Sequence, residues 1–65
     1  MKLNKYYNKK VNIEDNEGNT FVGIVNDYFH PDDNDNGKES IVIDLENGEA
    51  WEFYENDIKT ITEVG

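Results

Sequence analysis

The chain has 65 residues, no cysteine and a formal net charge of −9, and a chain of this length folds as a single small domain, residues 1–65. The lack of cysteine excludes disulfides and thiolate zinc sites, and the negative charge disfavours binding to phosphate backbones. No apolar run reaches the roughly 20 residues of a membrane span, and residues 1–10 lack the apolar centre of a secretory signal, so we expect a cytoplasmic protein with no membrane partner.

The N-terminal arm, residues 1–8, places Leu3, Tyr6 and Tyr7 at spacings of three and four residues. Such spacing predicts a short helical turn that lies over an open end of the sheet. Residues 9–14 then alternate between polar and apolar types, which is typical of a strand with one face in water.

Residues 20–29 hold the densest apolar run and follow a glycine-containing turn, so the sequence predicts a hairpin here. Both alternating sets of side chains in this strand are partly apolar, which predicts a central strand covered on both faces. Gly23 predicts a bend in the strand or a close approach of another backbone. The two faces are Phe21, Gly23 and Val25 on one side, and Val22, Ile24 and Tyr28 on the other.

Residues 30–38 form an acidic loop, because Pro31 lacks an amide donor and the Asp and Asn side chains compete for backbone hydrogen bonds. We expect no regular structure in this loop. Residues 39–46 and 49–54 alternate on either side of an Asn-Gly pair, which is a strong hairpin signal.

The end of the chain completes a set of five short strands. Trp51 and Phe53 are predicted to face inward, residues 55–57 indicate one turn of 3₁₀ helix, and residues 58–64 form the last strand. Five strongly twisted strands close more readily than they stay flat. The predicted fold class is therefore all-β, a five-stranded, small, partly open β-barrel with a short N-terminal helical turn and a 3₁₀ turn before the last strand.

Two parts of the chain resemble Sm-like domains within the Src-homology-3-like barrel group. Val11-Asn-Ile13, the turn at Gly18 and Phe21-Val-Gly23-Ile-Val25 resemble the first half of an Sm-like domain. Residues 51–61 are similar to the last hairpin and 3₁₀ turn of Sm-like and Src-homology-3-like barrels. The resemblance implies the barrel fold and a tendency to assemble through sheet edges.

The RNA-binding elements of Sm-like proteins are not matched in this chain. Those proteins carry an Asp with a short Met-Asn element after the second strand and an Arg-Gly or Lys-Gly near the last hairpin. The corresponding segments here are Asp27-Tyr-Phe-His-Pro and Phe53-Tyr-Glu-Asn-Asp. The resemblance therefore assigns no RNA-binding residue.

The charge is unevenly distributed, since residues 1–10 carry +4, whereas residues 11–65 hold two lysines and fifteen acids, a net charge of −13. There is no arginine, so nucleic acid is disfavoured as a partner. We predict a non-catalytic, acidic interaction module for a protein or peptide partner. An Sm-like RNA-binding ring and an acidic nucleic-acid mimic stay open as alternatives, as does the oligomeric state.

The candidate binding residues are mainly aromatic, because an exposed tyrosine pair flanked by acids suits a basic or extended peptide. The alternative is that Tyr6, Tyr7 and Tyr28 cap the open end of the barrel and complete a thin core. The candidates for binding are Tyr28, Phe29, His30 and Tyr54.

No catalytic residue and no cofactor are predicted, because the chain has one serine, one histidine and no cysteine, too few for a nucleophile with its base. We expect that the protein is not an enzyme. Asp32, Asn34 and Asn36 match the opening of an EF-hand calcium loop, but the twelfth position is Ile43 and strands flank the loop. The sequence therefore favours a solvated loop over a weak cation site.

Overall fold

The structure, a computed structural model, describes residues 2–65. Met1, the first residue of the predicted arm, lies outside the described residues. The strands are β1 (Lys10–Asp15), β2 (Thr20–Phe29), β3 (Ser40–Leu45), β4 (Ala50–Tyr54) and β5 (Ile58–Glu63). Single turns of 3₁₀ helix cover Asn4–Tyr6, Pro31–Asp33 and Glu55–Asp57. Each predicted strand boundary lies within one residue of the observed one.

All neighbouring strands are antiparallel, and their order across the sheet is β4-β3-β2-β1-β5. The long strand β2 is central because its first half pairs with β1 and its second half with β3. Within residues 2–65 no ladder joins β4 to β5, so the curled sheet stays open. The predicted fold class, an all-β, five-stranded, partly open small barrel, is confirmed, as are the N-terminal turn and the 3₁₀ turn before β5.

The prediction that β2 is covered on both faces is wrong. Val22 is 38% exposed and Ile24 is 51% exposed, because the sheet curls over its inner face only and no second layer covers the outer one. The pairing of β2 with β3 shifts register between Val25 and Asp27. This bulge moves Tyr28 to the inner face, where it packs against the core instead of joining Val22 and Ile24.

The core lies inside the curl of the sheet and is made of apolar side chains from all five strands and from the N-terminal arm. Leu3 has no exposed surface, and its backbone N–H donates to Glu39 Oε1 at 2.5 Å. Tyr6 also packs against the core, but Tyr7 is 49% exposed, so the prediction that Tyr7 helps cap the barrel is wrong. The buried apolar residues are Leu3, Val11, Ile13, Val25, Ile41, Ile43, Phe53 and Ile58.

Tyr7 points away from the barrel because the 3₁₀ turn ends at Tyr6 and the chain becomes extended at the next residue. Asn8 then adopts a φ of +65°, and its N–H donates to the Val25 carbonyl at 2.8 Å. The Val25 N–H donates in turn to the Lys9 carbonyl at 3.0 Å. These backbone bonds tie the arm to the central strand.

The acidic loop contains the 3₁₀ turn Pro31–Asp33, so the prediction of no regular structure in this loop is wrong. Proline is favoured in the first turn of a helix because its φ is already helical and its missing N–H would have no helical partner there. The Asp33 N–H donates to the His30 carbonyl at 2.9 Å, which closes the turn.

Gly23 lies where the backbone of β3 approaches β2 most closely. A Cβ built on Gly23 would overlap the Asp44 carbonyl group, so the predicted close approach is confirmed. The break in register occurs further along the strand, at Asn26, whose side-chain amide donates to Asp44 Oδ2 at 2.6 Å.

We predict that Gly23→Ala lowers the free energy of unfolding by about 2 kcal/mol or more, since the new methyl group must push the backbone of β3 away. Urea unfolding followed by circular dichroism measures this loss. Val22→Ala, at the next and exposed position of the strand, is the control and should cost less than about 1 kcal/mol. Equal losses for the two variants would contradict the close-approach explanation.

Candidate functional site

A groove of about 350 Å³ lies at one end of the barrel. We call it the aromatic groove. Three aromatic side chains from β2 and β4 form its floor, and carboxylates and one amide form its rim. The floor is Phe21, Trp51 and Phe53, and the rim is Asp15, Asn16, Glu17, Glu52 and Asp57.

The three aromatic rings of the floor contact one another. Phe21 lies 5.2 Å from Trp51 and 5.1 Å from Phe53 between ring centroids, with tilted planes, and Trp51 lies 6.4 Å from Phe53. These distances are typical of stabilising aromatic pairs. The cluster therefore presents a rigid apolar floor.

The prediction that Trp51 belongs to the core is wrong, because its side chain is 44% exposed. Phe53, two residues further along β4, is 5% exposed and does belong to the core. Both face inward, but Trp51 lies nearer the start of β4, opposite Ile43, where the sheet no longer curls over it. The Trp51 Nε1–H donates to Glu49 Oε1 at 3.0 Å, which fixes the orientation of the indole.

Three of the four rim carboxylates also serve the fold. Asp15 Oδ1 accepts hydrogen bonds from the Glu17 and Asn19 amides, both at 2.9 Å, and so holds the β1–β2 turn. Asp57 Oδ2 accepts from the Tyr54 N–H at 3.1 Å, and Glu52 Oε2 accepts from the Ser40 hydroxyl at 2.8 Å. The hydrogen bonds found in residues 2–65 include none to the Glu17 carboxylate.

A hydrogen bond between two loops borders the aromatic groove. Asn16 Nδ2 in the β1–β2 turn donates to the Asn56 carbonyl in the 3₁₀ turn before β5 at 2.8 Å. This contact joins the two segments that carry Asp15, Glu17 and Asp57. The backbone segments that carry these three rim acids are therefore joined to each other.

The turn that contains Asp15 changes the pKa of its carboxyl group. Partial desolvation raises its pKa, but the hydrogen bonds from the backbone and side chain of Asn19 and from the amides of Glu17 and Gly18 outweigh it, and the net result is a lowered pKa. Asp15 is thus kept ionised at the edge of the groove, which favours a cationic ligand.

The four residues predicted to bind a partner do not form one site. Tyr28 and His30 line a second depression of about 280 Å³, together with Glu39 and the N-terminal arm. Phe29 and Tyr54 are half-buried on the opposite, outer face of the sheet, where the strand register places them on either side of Ser40. The structure thus separates these candidates into two pairs.

Tyr28 is half-buried and packs against the core. Burial raises the pKa of the Tyr28 phenol, and the negative charge of Glu39, which accepts a hydrogen bond from the phenol, raises it further. His30 is exposed, with its Nδ1 3.8 Å from Asp32 Oδ2. The inward position of Tyr28 supports its capping role.

The acidic loop uses two of its three candidate cation ligands internally. Asn34 Nδ2 donates to the Lys38 carbonyl at 2.7 Å and to Ser40 Oγ at 3.0 Å, and Asn36 Oδ1 accepts from the Lys38 N–H at 3.0 Å. Asp32 lies in the 3₁₀ turn of the loop. Among residues 2–65 no group of three or more His, Cys, Asp or Glu side chains is arranged to hold a metal ion.

The sequence alone does not reveal the aromatic groove, although the residues of the groove have a recognisable pattern. Phe21, Trp51 and Phe53 all occupy inward-facing positions near strand ends, and acid-rich turns lie beside them in the sequence. Alternation alone assigns all three to the core. Only the folded structure shows which inward-facing residues are covered by the curled sheet and which are exposed.

Comparisons with known proteins gave no match, whether with protein-family models, with curated proteins or with solved structures. In the part of the chain that the structure describes, no helix has the length and apolar character needed to cross a membrane. The fold and the groove are therefore the starting point for a functional proposal.

We predict that Asp15→Asn destabilises the protein at about pH 6 and that the gap to the parent chain closes towards about pH 2. The folded-state pKa of Asp15 lies below its ordinary value of 3.8. Its charge therefore contributes stability above that value, and this contribution is lost as the pH falls through the lower, folded-state pKa. Thermal unfolding across this range measures the gap, and a gap that stays constant down to about pH 2 would contradict this explanation.

We predict that Tyr28→Ala lowers the free energy of unfolding by about 2 kcal/mol, because it removes a ring that packs on the core. Tyr28→Phe keeps the ring and loses only the hydrogen bond to Glu39, so it should cost about 1 kcal/mol. Denaturant titration separates the two values. An unchanged midpoint for Tyr28→Ala would instead place Tyr28 among surface residues that are available for binding.

Proposed function

We propose that this protein is a non-catalytic interaction module that binds a cationic polypeptide segment of a partner protein in the aromatic groove. The observation that carries the proposal is the exposed Trp51 side chain in a groove that is also lined by four carboxylates. An apolar side chain that packs on the exposed indole removes apolar surface of both partners from water, which stabilises the complex. The surrounding carboxylates add electrostatic attraction and speed the encounter.

Three features of the groove support a peptide over a small molecule. The groove is open, its polar groups are nearly all acidic, and the rings of Phe21, Trp51 and Phe53 contact one another along its floor. Apolar side chains of a bound segment can pack on such a floor while its cationic side chains reach the carboxylates of the rim. One negatively charged rim suits several cations spaced along an extended chain.

The fold also supports membership of the small-barrel group that the sequence resembles. The strand order, with a 3₁₀ turn between β4 and β5, is what we expect of a Src-homology-3-like barrel, of which Sm-like domains are one kind. Within that group we place the chain with proteins that bind peptides. An RNA-binding ring is the less favoured assignment, because an acidic rim repels phosphate.

The test is titration of the protein with the peptide acetyl-Lys-Val-Lys-Val-Lys-Val-Lys-amide, followed by Trp51 fluorescence and backbone amide shifts. Trp51 is the single tryptophan, so its emission reports on the groove alone. We expect shifts confined to the groove and an affinity that falls as salt is raised. The same peptide with glutamate in place of lysine should not bind, and a uridine oligonucleotide tests the RNA alternative.

Two charge-reversal variants provide the matched comparison. Glu17→Lys changes a rim carboxylate that accepts no hydrogen bond in the described chain, and we expect it to weaken peptide binding about tenfold, or about 1.4 kcal/mol. Asp35→Lys makes the same change in net charge in the acidic loop, at the opposite end of β2, and should weaken binding far less. Equal losses of affinity in the two variants would show that the peptide responds to the net charge of the protein and not to the groove, which would contradict the proposal.

A further inference from the structure

Strand β4 forms one edge of the sheet, and the aromatic groove follows that edge. Trp51 and Phe53 face inward, whereas Glu52 between them faces outward, because successive side chains of a strand alternate. All three line the groove. The groove thus borders β4, and no strand in residues 2–65 pairs with the side of β4 that faces away from β3.

The hydrogen bonds at the two ends of β4 show which backbone groups point to that free side. The Leu45 N–H donates to the Glu49 carbonyl at 2.8 Å, and the Glu55 N–H donates to the Glu39 carbonyl at 3.0 Å. In an antiparallel pair every second residue faces the partner strand. Residues 49, 51, 53 and 55 thus face β3, and Ala50 and Glu52 point their N–H and C=O groups away from the sheet.

This edge lacks several of the usual protections against pairing. Folded proteins block free edges with proline, with lysine or with a bulge. Strand β4, Ala50–Tyr54, contains no proline and no lysine, and its pairing with β3 runs without a register shift. Ala50, Trp51 and Glu52 are all exposed. At the other edge, β5 carries Lys59, and its pairing with β1 is irregular at Asp15.

We infer that the cationic segment binds as an added β-strand along β4, antiparallel to it, and this inference rests on the proposed function. The Ala50 and Glu52 backbones each supply one donor and one acceptor to the added strand. A residue opposite Glu52 then lies on the outer face beside a carboxylate and is cationic. Residues opposite Trp51 and Phe53 lie on the inner face, over the aromatic floor, and are apolar.

Charge identifies the occupant as a cationic partner and not a second copy of this chain. Two copies would bring together two molecules of net charge −9, and like charge opposes association. The lysines of the arm do not change this, because the backbone of the arm is already bonded to β2 through Asn8 and Val25. An alternating cationic and apolar sequence complements both the charge and the two faces of β4.

The experiment compares the lysine-valine heptapeptide with two isomers of it that carry backbone N-methyl groups. One isomer is methylated at the lysine amides and the other at the valine amides, so each blocks hydrogen bonding along one edge of the peptide only. We expect the lysine-methylated isomer to bind at least about tenfold more weakly, while the valine-methylated isomer keeps its affinity. Hydrogen exchange of the Glu52 amide should slow when the unmethylated peptide binds.

Ala50→Pro provides the same test on the protein side. It removes an N–H that points away from β3, so the ladder between β3 and β4 is kept and the unfolding midpoint should change little. We expect it to weaken binding of the unmethylated peptide about tenfold, and the lysine-methylated isomer should be unaffected by it.

Equal affinities of the two methylated isomers would overturn the added strand and leave the groove as a binding surface for side chains. Failure of all three peptides to bind would instead overturn the proposed function itself. Concentration-dependent dimers that the unmethylated peptide does not dissociate, measured by light scattering, would show that a second copy occupies β4 and would also overturn the inference.

Discussion

The structure depends on the way β2 changes partner along its length. Its first half pairs with β1 and its second half with β3, and Gly23 lies in both pairings. Only a residue without Cβ fits there, because the Asp44 carbonyl occupies the space that a side chain would need. The bulge at Asn26 then turns Tyr28 inward, so that one strand supplies core contacts at both ends of the barrel.

Alternation and turn chemistry predict most of this fold. The glycine-containing turns at Gly18 and Gly48 adopt positive φ, and the strands that they join follow the predicted pattern. The errors have a common physical cause: alternation tells which face a side chain occupies, not whether anything covers that face. Val22 and Ile24 are apolar and yet lie on an open face. The bulge that moves Tyr28 places one extra residue of β2 opposite β3. Nothing in the composition of β2 marks the position of this bulge, so the sequence does not predict it.

The candidate site was harder to predict than the fold for a related reason. Alternation assigns Phe21, Trp51 and Phe53 alike to the inner face of the sheet. In the folded protein their exposure differs, because the curl of the sheet covers Phe53 but leaves Trp51 exposed. A thin barrel cannot cover three large rings at the end where β4 and β5 stay apart. The open barrel therefore leaves Trp51 exposed and accessible to a ligand.

The rim carboxylates differ in how strongly they indicate binding. Asp15 holds a turn, Asp57 accepts the Tyr54 N–H and Glu52 accepts the Ser40 hydroxyl, so the fold alone accounts for these three acids. Glu17 has no such role among residues 2–65. The exposed part of the Trp51 side chain leaves apolar surface in water, which lowers the stability that its burial would give. A ligand that brings a cation to Glu17 and an apolar side chain to Trp51 accounts for both residues at once. Their placement in one groove is thus a stronger argument for a cationic peptide than the total charge of the chain, which solubility alone explains.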